Sequence, residues 1–193
     1  MASPILSGSI LVLCEGKTDK EFLDWIVGSA QLARFVVHST SGKDLTADRD
    51  KSILNSSDYF GKIINVLVVF DADKSSEASR KQIEKCLVEA ATGLPFFSYM
   101  LPDDQSIGEL EDLCLQAFTD TALLACAESF LGCARALNPD IPKSSKKTFR
   151  AAMTIKKESG SDPYMATKLG LIDFENEKIQ KLVQFLKSPA PDG

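Results

Sequence analysis

Ile63-Ile64-Asn65-Val66-Leu67-Val68-Val69-Phe70-Asp71-Ala72-Asp73 decides how this chain folds. Eight residues run almost without a polar interruption before the first aspartate. A strand with one wet face alternates apolar and polar residues. A continuous β-branched run instead fits a central strand of a parallel sheet, covered on both faces. The reading therefore starts from an α/β domain, with an acidic pair at the carboxyl end of its central strand.

Working towards the N-terminus, Ser9 to Cys14 (SILVLC) is a second apolar β-forming run. Glu15-Gly16 turns the chain, and Thr18-Asp19-Lys20-Glu21 has the form of a capping box with Thr18 as N-cap. Phe22, Leu23, Ile26 and Val27 then recur at helical spacing to about Gly28. Arg34 to Ser39 reads as another strand, Ser41-Gly42-Lys43 as a turn, and Leu45 to Tyr59 as a polar helix.

Towards the C-terminus, serines after Asp73 open a helix over Glu77 to Ala91, closed by Gly93 and Pro95. Phe96 to Leu101 is a fourth strand. Strand and helix alternate as in a doubly wound parallel sheet, where ligands bind beyond the strands' carboxyl ends. From Gly108 the pattern is helical, over Glu109 to Phe118 and Thr121 to Leu137. After a break at Asn138-Pro139 and Pro142 come a basic helix and a terminal one. The expected organisation is an α/β core over 1–120, a helical extension over 121–187 packed on it, and a flexible tail over 188–193.

Composition narrows the function classes. A chain of 193 residues with 44% hydrophobic content can bury one good core. A formal charge of −5 excludes a protein that coats nucleic acid by bulk electrostatics, so any such contact is local. Charge is segregated: Asp103 to Glu128 holds seven acids and no base, whereas Lys143, Lys146, Lys147, Arg150, Lys156 and Lys157 follow close together. The five cysteines are scattered without a CxxC pair, and His38 is the single histidine, which argues against zinc and for reduced core thiols. No apolar run reaches bilayer length and the first residues carry no basic segment, so the expectation is a soluble cytoplasmic protein.

The acids at strand ends carry the chemistry. Glu15 and Asp19 stand four residues apart, which can bring both to one mouth. Asp71 and Asp73 straddle one residue and, if extended, point the same way. Carboxylates of this kind suit Mg²⁺ or Mn²⁺. Taken singly, each has a plainer explanation: Glu15 and Asp19 as acids at a helix N-terminus, Asp71 as a loop acid, Asp73 as a helix cap, Glu109, Glu111 and Asp112 as an acidic helix start. The basic cluster can equally be a solvated face, and Lys43 an ordinary turn residue.

Glu15-Gly16-Lys17-Thr18-Asp19 after one strand, followed by Asp71-Ala72-Asp73 after another, resembles the Toprim domain of topoisomerases, DnaG-type primases, RNase M5 and OLD-family nucleases. Leu101-Pro102-Asp103 with Gly108-Glu109-Leu110-Glu111-Asp112-Leu113 is similar to small stand-alone Toprim-like proteins related to the OLD nucleases. The resemblance spans roughly residues 9–115.

It implies a Rossmann-like parallel sheet in which Glu15 is a metal ligand or general acid/base and Asp71 and Asp73 bind metal. Asp19 matches a second acidic position, which implies two ions, and Glu109 or Glu111 supplies a further ligand, with Glu111 slightly favoured. Lys146, Lys147 or Arg150 would contact phosphate, with Lys147 expected among the catalytic residues; Lys43, on the turn after the second strand, can approach the same mouth and is a further candidate for phosphate contact. Two ions about 4 Å apart can orient an attacking water and stabilise a leaving oxygen. The chain has no room for the gating or template-binding modules of a topoisomerase or primase.

The implied activity is divalent-metal-dependent hydrolysis of DNA or RNA phosphodiesters, in phage defence or nucleic-acid processing, with a protein partner or homodimer assisting grip. Two other readings compete. One is a non-catalytic Toprim-like binding or regulatory subunit. The other is a haloacid-dehalogenase-like phosphatase with Asp71 as nucleophile and Asp103-Asp104 as its later acidic pair.

Overall fold

The computed structural model describes residues 8–40, 42, 61–73, 75–89, 93–156 and 161–188. The expected helix over 45–59, Lys43 and the tail beyond residue 188 lie outside these.

Four parallel strands form the sheet: β1 (Ser9–Cys14), β2 (Phe35–Ser39), β3 (Ile63–Asp71) and β4 (Phe96–Leu101). Their order is β2-β1-β3-β4. The seven described helices are α1 (Lys17–Ser29), α2 (Ser76–Glu89), α3 (Leu110–Gln116), α4 (Thr121–Leu137), α5 (Ser145–Lys156), α6 (Pro163–Lys168) and α7 (Glu177–Lys187). The fold is the expected α/β class, with a parallel, Rossmann-like sheet flanked by helices.

The apolar runs sort by alternation onto the two faces. Leu11, Leu13, Val66, Val68, Phe70 and Met100 face α2 and meet Ile83, Cys86 and Leu87. Ile10, Val12, Cys14, Leu67, Val69, Tyr99 and Leu101 form the opposite face with Phe22, Leu23 and Ile26 of α1. The same cluster takes in Leu113 of α3, Ala127 of α4, Phe149 and Met153 of α5, and Ile179, Leu182, Val183 and Leu186 of α7. The C-terminal helices thus share a core with the sheet. Burying both faces is what makes β1 and β3 read as unbroken apolar runs.

Two local expectations shift. Helix α1 begins one residue after Gly16, which is its N-cap in extended conformation; Thr18 lies inside the first turn. Asp19, at the third helical position, accepts the Gly16 N–H at 2.8 Å, the reciprocal half of a capping box that needs no Thr18 hydroxyl. The second shift concerns Asp73, whose φ of 50° lies in the left-handed region, with its N–H donated to the Gly108 carbonyl at 3.1 Å. The strand ends at Asp71, so the two aspartates are not presented in one extended run.

All five cysteines are free, with Cys14, Cys86 and Cys114 buried. Among the described residues no helix is long and apolar enough to cross a membrane.

Candidate functional site

From β1 the chain passes through α1 to β2 on one side, and from β3 through α2 to β4 on the other. The sheet's switch point therefore falls between the carboxyl ends of β1 and β3, where loops diverge and leave a crevice. Glu15 follows β1 and Asp71 ends β3. The Asp71 N–H donates to Glu15 Oε1 at 3.1 Å, so the two acids are held together at this point.

A cleft of about 400 Å³ opens there. Its acidic wall is Glu15, Asp19, Asp71 and Glu111; Lys17, Lys146 and Arg150 supply positive charge. Gly42 and the Ser161-Asp162-Pro163 turn also line the mouth. Among the described residues no aromatic side chain lines it, so these residues form no platform for base stacking.

Helix α3 is set by the same device as α1. Glu109 is its N-cap, extended like Gly16, and Asp112 at the third position accepts the Glu109 N–H at 2.8 Å. The Leu110 N–H donates to Asp71 Oδ1 at 2.9 Å, tying α3 to the end of β3. Gly108 makes this approach possible: a Cβ there would lie 2.7 Å from Asp112 Oδ2 and 2.9 Å from Pro102 Cδ. These constraints place Glu111, only 8% exposed, inside the cleft.

The basic wall arrives with α5, which docks end-on against the start of α3. The Ser145 hydroxyl donates to Asp112 Oδ1, and the Lys146 N–H donates to Glu109 Oε1 at 3.2 Å. The Lys146 ammonium then reaches back to 3.5 Å from Glu111 Oε1 and 3.9 Å from Glu109 Oε2. Arg150, one turn later on the same face, also lines the cleft.

The electrostatics follow from burying acids together. Burial, and then the charges of Glu15 and Asp19, push the Asp71 carboxyl up to about 8, despite the opposing Leu110 hydrogen bond. Burial raises Asp19 as well, against the Gly16 hydrogen bond and Lys146. Glu109 is raised by burial and by Glu111. Burial opposes the charge on Lys146, yet Glu111, Glu109 and Asp71 outweigh it and hold its pKa above the usual value. Among the described residues the lining holds more acids than bases.

The expected site residues divide accordingly. Glu15, Asp19, Asp71, Glu111, Lys146 and Arg150 converge on one cleft. Glu109 instead caps α3 and anchors α5. Asp73 is exposed and outside the lining, because its left-handed backbone turns it from the direction Asp71 takes. Lys147 is exposed and likewise outside the lining; helical phase brings Lys146, not Lys147, to the cleft. Sequence reasoning missed the Ser145–Asp112 bond and the 161–163 turn. The first joins residues far apart in the chain and leaves no local signal, but Asp162-Pro163 carries a readable N-cap and first-turn proline.

The donor set fits a hard divalent cation. It consists of carboxylates, it carries excess negative charge that burial makes costly, and a side-chain ammonium already stands in as counter-ion beside Glu111. The side chains are not closed around a metal position: among the described residues no group of three or more His, Cys, Asp or Glu is arranged to hold an ion.

A family model described as "Protein of unknown function (DUF3226)" matches residues 9–189. No curated protein and no solved structure matches the chain.

Proposed function

Because the chain belongs to the DUF3226 family, whose description assigns no activity, the site itself has to supply the reading, and we propose a divalent-metal-dependent nuclease that hydrolyses phosphodiester bonds of DNA or RNA. The observation that carries it is the convergence of Glu15, Asp71 and Glu111 with Lys146 at the sheet's switch point. The Toprim-like spacing of the first two acids, and the OLD-like Gly108-Glu109-Leu110-Glu111 segment, support the same reading.

Glu15, Asp71 and Glu111 would hold Mg²⁺ or Mn²⁺, with Asp19 positioned for a second ion. When bound there, such an ion would supply charge stabilisation and make an attacking water more acidic. Lys146 and Arg150, one turn apart, bind the phosphate oxygens and neutralise charge that grows as water attacks phosphorus and the ester oxygen departs. Lys17, at the open rim, steers the backbone inward. The carboxylate of Glu15, which lines the cleft beside Asp71, is the chain's candidate to accept the water's proton. A cytoplasmic setting suits the five free cysteines.

The test is cleavage of labelled single- and double-stranded DNA and RNA with Mg²⁺ or Mn²⁺, comparing wild type with Asp71→Asn and Glu15→Gln. Cleavage that needs the metal and both carboxylates supports the proposal. Folded wild type that cuts none of the four substrates with either ion refutes it.

One observation favours a second reading, a non-catalytic Toprim-like binding subunit: Asp73 stands outside the cleft, and the remaining acids are not closed around an ion. It expects nucleic-acid binding that survives Asp71→Asn and EDTA. The phosphatase reading is disfavoured, since Asp103 pairs with Lys178 at 3.0 Å and Asp104 pairs with Arg80, both engaged in holding the fold.

A further inference from the structure

Lys146 does something that a phosphate-binding lysine need not do. Its ammonium stands among the acids, 3.5 Å from Glu111 and 3.9 Å from Glu109, in the cleft that Asp19 and Asp71 also line. Its backbone is pinned as well, through its N–H to Glu109 and through Ser145 to Asp112. The anchor is fixed while the long side chain is about half-exposed, its ammonium held only by ion pairs to Glu111 and Glu109 among the described residues.

We propose that Lys146 is the cleft's internal counter-cation, and that it competes with a divalent ion for the same carboxylates. This rests on the metal reading above and deepens it. Without an ion, the ammonium offsets the repulsion among Glu111, Asp71 and Asp19. A divalent ion entering against Glu111 meets a like charge at close range, so the ammonium is driven out towards open solvent, where its remaining partner is a phosphate oxygen. Ion binding and release of the phosphate-binding lysine become one event. By reciprocity, an anion that holds Lys146 away from Glu111 strengthens ion binding.

The competition has a sign that a purely structural lysine does not reproduce. Removing the ammonium leaves the acids uncompensated, so the ion-free protein loses stability; the same uncompensated acids attract a divalent ion more strongly. A residue that merely shaped the site would lower both quantities. Repulsion across a few ångströms in a partly solvated cleft is large enough to change affinity on the order of tenfold.

The experiment titrates Mn²⁺ into wild type, Lys146→Met and Lys146→Arg at pH 8 by calorimetry, and records the melting temperature of each in EDTA. The expected result is Mn²⁺ affinity raised on the order of tenfold in Lys146→Met, with a lower melting temperature in EDTA. Lys146→Arg, which keeps the charge, stays near wild type in both; because the side chain is half-exposed, it also serves should the methionine variant fold poorly. Unchanged or weaker Mn²⁺ binding in folded Lys146→Met, with wild-type binding intact, overturns the competition and leaves the nuclease reading standing. Absence of Mn²⁺ binding in wild type and both variants refutes the metal reading and the competition together.

Discussion

Asp71 receives a backbone N–H from Leu110 and gives its own to Glu15, so one residue joins the end of β1 to the start of α3. The ends of two central strands and one helix are thereby fixed to each other before any ligand arrives. The cost is a buried carboxylate among carboxylates, and the clearest tests begin there.

Asp71→Asn keeps the size and the acceptor for Leu110 while removing the charge. In EDTA at pH 8 its melting temperature rises by about 2–8 °C, since each kcal/mol is worth roughly 2–4 °C in a chain of this size. Cleavage falls by at least about a hundredfold, the scale lost when one charge-stabilising group is removed. A stabilised but inactive variant is the expected signature; calorimetry and the nuclease assay read the two halves.

Stability should fall with pH across a defined window. Asp71 has its folded pKa raised from 3.8 to about 8, so protonation favours the folded state. Its contribution is fully present below pH 3.8 and is lost as pH rises through about 8. The raised Asp19 and Glu109 add in the same direction. Melting temperatures in EDTA between pH 5 and 9 check this, and Mg²⁺ flattens the decline by neutralising the same charges. A flat EDTA profile would contradict the burial of these acids.

Lys146→Ala and Arg150→Ala each reduce cleavage by about 10- to 100-fold, whereas Lys147→Ala, one residue from the first, changes it by less than about threefold. The contrast isolates helical phase from the mere presence of a basic cluster. Comparable losses in all three variants would point to a diffuse basic surface.

Gly108→Ala places a methyl group against Asp112 and Pro102 and costs about 2–4 kcal/mol. Denaturant midpoints measure it. Displacement of the α3 start carries Glu111 with it, so ion affinity falls in the same variant.

Phe149, fully buried in α5, meets Phe118 edge-on with ring centroids 6.1 Å apart. Phe149→Ala costs about 3–5 kcal/mol and loosens the helix that carries Lys146 and Arg150. Activity then declines at temperatures below global unfolding, which parallel melting and activity curves will show.

The sheet was legible because its signal is local: Ile63 to Phe70 is apolar on both faces, and Ser9 to Cys14 repeats the pattern. Glu15 and Asp71 followed from where those runs end. What failed depended on a few dihedral angles or on distant partners. Asp73 was expected to extend the strand, but one left-handed residue bonded to Gly108 redirects it. Lys146 could not be separated from Lys147 because the phase of α5 is set by Ser145 on Asp112 and by Glu109, contacts that span more than thirty positions.

The docking of α5 on α3 also bears on the order in which the protein is made. The acids of the cleft lie at positions 15, 19, 71 and 111, whereas Lys146 and Arg150 come from a helix whose core contacts include α7. A ribosome releasing this chain exposes all four acids before the basic side chains of α5. The growing polypeptide therefore passes through a stage in which the acids repel one another without the α5 ammonium and guanidinium that face them in the finished fold.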